Sequence, residues 1–105
     1  MMKNNAAVFV HSTTDRIYKI LPLMESESDQ KNERIEKYIE SIILSMKGAV
    51  RVFDELDGDR EYMSVLCSVS GLLDDGITFG IAKRTIFRCL KLLNAIEDRL
   101  GGDAN

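Results

Sequence analysis

Seven apolar residues, Ile35, Ile39, Ile42, Met46, Ala49, Phe53 and Leu56, follow one another at alternating steps of four and three. Residues three and four apart share a helix face, so this ladder predicts one long helix over 32–56. Ile43 and Val50 widen the stripe on one side, Tyr38 and Val52 on the other. The apolar sector then spans about half of the circumference, wider than the seam of a two-stranded coiled coil. Gly48 falls toward the wet side, where it suits a close crossing or a slight bend.

The same spacing recurs twice. Tyr62, Leu66, Val69 and Leu73, widened by Met63, Val65 and Leu72, predict a helix over 60–73. Ala82, Ile86, Cys89, Leu93, Ile96 and Leu100 predict another over 78–100. Asp57-Gly58-Asp59, Asp74-Asp75-Gly76 and Gly101-Gly102 interrupt the ladders. In each, glycine suits the left-handed residue after a helix, and Asp59 suits the cap of the next one. A shorter helix is expected over 13–24, with Thr13 or Thr14 as cap and Ile17, Ile20, Leu21 and Met24 as its apolar side. Pro22 should end it near Leu21 or kink it, because proline removes a helical donor and crowds the preceding turn.

The fold expected is therefore all-α: a small four-helix bundle of one short and three longer helices, largely antiparallel because the downstream turns are short. Val8, Phe9 and Val10 favour extended structure, so residues 1–12 are read as a flexible N-terminal arm. The bundle domain would occupy 13–101 and a disordered tail 102–105. Residues 25–32 carry no apolar side chain and are read as a solvated hinge.

Composition narrows the function classes. A chain of 105 residues is long enough for one domain with a real core. A net charge of −3 argues against nucleic-acid binding by the whole surface. The apolar run from Ala6 to Val10 is too short for a signal peptide, and no stretch approaches a membrane span, so the cytoplasm is the expected compartment. Cys67 and Cys89 are far apart, and His11 is the single histidine. That set lacks the close-spaced ligand pairs of a zinc site, so the two cysteines are read as buried free thiols. The acidic run 54–59 fails as a calcium loop, since aligning Gly58 puts Phe53 and Ser64 at ligand positions. Gly76 to Gly80 ahead of Lys83 lacks the spacing and the preceding strand of a phosphate loop. No nucleophile–base constellation is visible, so neither an enzyme nor a cofactor is expected.

What remains is one surface. Lys83, Arg84, Arg88 and Lys91 form a basic stripe opposite the last ladder, with Phe87 among them. Residues 77–100 hold five basic and two acidic residues, whereas residues 54–76 hold seven acidic and one basic. An aromatic rimmed by cations suits an acidic partner or phosphate. Leu44 and Phe87 on otherwise polar faces suggest apolar surface to spare. Together these features point to a non-enzymatic interaction or regulatory module that binds itself, as a homodimer, or another protein. The run from Gly80 to Leu93 also resembles the recognition helix of helix-turn-helix regulators. That resemblance implies that Lys83, Arg84, Thr85, Phe87 and Arg88 face DNA. A third reading is an antitoxin- or immunity-type inhibitor whose acidic belt, Asp54 to Glu61, neutralises a basic target.

Overall fold

The computed structural model describes residues 5–26 and 33–101. They form α1 (Asn5–Tyr18), α2 (Ile20–Ser26), α3 (Glu33–Val52), α4 (Arg60–Gly71) and α5 (Phe79–Gly101), with no strand among the described residues. Helix α1 and helix α2 make one kinked rod. The Lys19 amide donates to the Asp15 carbonyl and the Leu23 amide to the Lys19 carbonyl, so helical bonding crosses the break. Pro22 has no amide hydrogen, and its ring crowds the carbonyl four residues back, that of Tyr18. The proline thus kinks the rod at Lys19 rather than ending it.

The rod and the three other helices form an all-α four-helix bundle. Helix α1 lies against α5 and α3, and α4 lies against the same two from the opposite corner. Neighbours run antiparallel. Ala7 lies beside Gly101 and His11 beside Glu97. Phe9 meets Phe53 in a tilted ring contact, while Arg16 reaches Ser41. Across the α4–α5 pair, Arg88 reaches Ser68 and Arg99 reaches Glu61.

All three ladders point inward. Ile35, Ile39, Ile42 and Met46 of α3, Tyr62, Val65 and Val69 of α4, and Ala82, Ile86, Cys89, Leu93 and Ile96 of α5 are buried. Two helix ends differ from expectation. Helix α3 stops at Val52, and turn bonds such as Leu56 amide to Phe53 carbonyl carry the chain onward. Leu56 is nevertheless fully buried, so the ladder outlives its helix. Helix α4 stops at Gly71, and Leu72 takes the core place expected for Leu73, which is half-buried. Gly58 and Gly76 have φ of 78° and 86°, the left-handed region that their turns require. Asp59 caps α4 by accepting from the Tyr62 amide at 2.9 Å.

The larger correction is at the N-terminus. From Asn5 onward, the expected flexible arm is helix, and Ala6 and Val10 are fully buried. The rod carries a fourth ladder of the same rhythm: Ala6, Val10, Thr13, Ile17, Ile20 and Met24. Thr13 hid it. Its buried hydroxyl donates to the Phe9 carbonyl at 2.9 Å, which offsets the cost of placing an alcohol in the core. Neither threonine caps a helix start, since Thr14 likewise bonds back to Val10. Burial of Val10 and half-burial of Phe9 outweigh the extended preference of the Val8–Val10 run. Glu25 and Ser26, expected to open a solvated segment over 25–32, instead close α2. Residues 1–4, the rest of that segment at 27–32 and the expected tail at 102–105 lie outside the described residues.

The buried Tyr62 hydroxyl donates to the Met46 carbonyl at 2.7 Å, a polar link through the α3–α4 interior. In urea unfolding, Ile42→Ala is expected to cost about 2–5 kcal/mol and Tyr62→Phe about 0.5–1.5 kcal/mol. Val10→Ala should cost about 1–3 kcal/mol, whereas a free arm would leave the midpoint unmoved.

Candidate partner-binding surface

Helix α5 is set by its first turn. The Ile81 amide donates to the Thr78 hydroxyl, and the Ala82 amide to the Thr78 carbonyl. With Ala82, Ile86, Cys89 and Leu93 held in the core, geometry pushes Lys83, Arg84, Phe87, Arg88 and Lys91 outward. All five are exposed on one helix face, Phe87 at 48%. No acidic residue occurs between Phe79 and Ile96. Among the described residues Lys83, Arg84 and Lys91 form no ion pair, and Arg88 spends one donor on the neutral Ser68 hydroxyl at 3.3 Å. The positive potential here is therefore uncompensated on its own helix.

The other end of α5 behaves differently. Arg99 forks between Asp59 and Glu61. Asp59 serves twice, capping α4 with one oxygen and receiving Arg99 on the other. The acidic belt from Asp54 to Glu61 is thus partly neutralised within the molecule. Next to it, His11 lies 3.1 Å from Glu97 and 4.0 Å from Asp15 along the α1–α5 seam.

Helices α4 and α5 pair along their length as an antiparallel hairpin, from Ser68–Arg88 to Asp59–Arg99. A helix-turn-helix crosses its two helices at roughly 90–120°, which frees the second for the major groove. Here α5 keeps one flank engaged by α4 and the other by α1.

A second exposed feature lies on α3. Leu44 and Val52 are 70% and 72% exposed, and Gly48 stands one turn from each with open space around it. Val52, expected at the edge of the inward apolar stripe, stands instead in water on the same side as Leu44 and Gly48, at the last residue of the helix.

A third feature escaped sequence analysis: a groove of about 510 Å³ where α2 meets the first turns of α3. Lys19, Arg34 and Lys37 line it together with Leu23, Ile35 and Tyr38. Tyr38 donates to the Arg16 carbonyl at 2.8 Å. Burial raises the Tyr38 phenol above its ordinary range, against the pull of the Arg16 cation. The lining residues come from positions far apart in the chain, and only the kink at Pro22 hints at a concave surface there.

The cysteines part company. Cys89 is buried, and desolvation pushes its thiol up to about 11 despite the neighbouring Arg88 cation and Ser68 hydroxyl, which pull it down. Cys67 is exposed, contrary to expectation, because it stands beside the α4 ladder on the solvent side. No cluster of three or more His, Cys, Asp or Glu among the described residues could hold a metal ion. No described helix is long and apolar enough to cross a membrane.

At pH 8 a thiol with a pKa near 11 is about one part in a thousand thiolate. An aromatic disulfide reagent should therefore titrate one thiol per native chain rapidly, and the second only after unfolding. Cys67→Ser should abolish the rapid phase.

Compared with known protein families, with curated proteins and with solved structures, the chain matches none.

Proposed function

We propose that this protein is a small non-enzymatic interaction module. It docks on an acidic protein partner through the exposed face of α5 and associates with a second copy of itself through α3. The observation that carries the docking reading is the set of cations around Phe87, three of which form no ion pair among the described residues. A half-exposed aromatic supplies contact area, and the surrounding cations select for negative potential. The antiparallel α4–α5 hairpin favours this over insertion of α5 into a DNA groove.

Self-association rests on different residues. Leu44, Gly48 and Val52 stand four apart on the wet side of α3, and the missing side chain at Gly48 lets another helix approach between two apolar neighbours. Exposed aliphatic side chains of that size are common singly, but this pair flanks an open glycine.

Two measurements test the proposal. Purified from its native host, the wild-type protein should carry a stoichiometric partner with an acidic surface, and Arg84→Glu with Phe87→Ala should lose it. Loss of binding to a short DNA duplex at low salt in an Arg84→Glu, Arg88→Glu variant would instead establish the regulator reading, and absence of both interactions overturns the α5 surface. By light scattering, the wild type should be a dimer and Leu44→Asp with Val52→Asp a monomer. A wild-type monomer at high concentration removes self-association.

A further inference from the structure

The groove between α2 and α3 has the size and lining of a ligand site. Its volume of about 510 Å³ falls within the roughly 300–1,000 Å³ typical of clefts that take small molecules. Its inner surface is apolar: Ile35 is buried, Leu23 and Tyr38 are half-buried, and Pro22 of the kink closes one side. The Tyr38 hydroxyl is already committed to the Arg16 carbonyl, which fixes the side chain in the wall.

Among the described residues, the charged groups of the lining, Lys19, Arg34 and Lys37, are all cationic and exposed. Lys19 and Arg34 form no ion pair among the described residues. Lys37 meets Glu33 at 3.2 Å, but both side chains are largely in water, where such a pair holds weakly. A ligand that satisfies both halves of this lining needs an apolar chain for the wall and one anionic head for the cations.

We infer that the α2–α3 groove binds a single-chain fatty acid, with its carboxylate among Lys19, Arg34 and Lys37 and its alkyl chain along Leu23, Ile35 and Tyr38. The guanidinium of Arg34 can grip a carboxylate through two parallel hydrogen bonds, and the two ammonium groups add charge without fixed geometry. This site is separate from the α5 face and does not rest on it.

Titration calorimetry with laurate below its micellar concentration tests the inference on the full chain. Saturable binding of one laurate per chain is expected. Each buried methylene strengthens binding about fourfold, so octanoate, four methylenes shorter, should bind between about tenfold and about 250-fold more weakly as two to all four of those methylenes are buried. Dodecyltrimethylammonium, with the same chain and the opposite charge, should give no saturable binding. Arg34→Glu and Lys19→Glu, both at exposed positions, should each weaken laurate about tenfold with helicity unchanged by circular dichroism. Arg84→Glu, on the far surface of α5, should leave laurate binding intact. Equal binding of laurate and the cationic chain, laurate uptake only above its micellar concentration, or loss of laurate in Arg84→Glu but not in Arg34→Glu would each overturn the assignment.

Discussion

The bundle depends on the closing of its fourth wall. The backbones of α3 and α5 sit at opposite corners and stay apart, and each is held by α4 on one side and by α1 on the other. Their apolar sectors span about half of each helix, more than α4 can cover. Helix α1 supplies the missing cover, and its closest partnership is with α5. That seam is built from small residues. A Cβ placed on Gly101 would lie 3.5 Å from the Ala7 side chain, and Ala6 is fully buried. Small side chains let the two axes approach, while Val10, Ile17 and Ile20 fill the interior.

How much of this is legible in the chain depends on what each helix uses to fill its core positions. Where the fillers are mostly Ile and Met, as in α3, the spacing alone identifies the helix and its inward face. Where they are Ala, Val and Thr, as in α1, the same spacing is present but carries little hydrophobic contrast. Thr13 reads as a cap or turn residue until the Phe9 carbonyl is seen accepting its hydroxyl. The Val8–Val10 run then pulls the reading toward extended structure, because local preference is visible in sequence and tertiary burial is not. Helix ends are obscured for a related reason. Leu56 continues the α3 ladder in phase although the helix has ended, since a turn delivers it to the same core.

The surface divides along the same line. The cations of α5 are one helix's own periodicity, so their common face follows from spacing and from which side the core takes. The groove is the opposite case. Lys19 stands at the break between α1 and α2, Arg34 and Lys37 stand on α3, and they share a groove because α2 packs against α3. Charge placed by tertiary structure has no periodic signature. The Arg99 fork falls between: the acidic belt is plain in the sequence, but its partial neutralisation appears only when α5 returns to the start of α4.

Electrostatics also separates the two proposed contacts. A two-fold dimer interface sets each patch against its own copy, so a dimer through α5 would bring Lys83, Arg84 and Lys91 against the same cations. Like charges brought together in this way cost free energy unless an anion intervenes. The Leu44–Gly48–Val52 stripe is itself apolar, is flanked by charges of both signs, Glu40, Lys47 and Arg51, and lies on the corner helix diagonal to α5. Self-association there leaves the α5 cations in water, where their field reaches about 8 Å at physiological salt. The proposed division therefore follows from the placement of charge: the surface that cannot accept its own copy is the one open to an acidic partner.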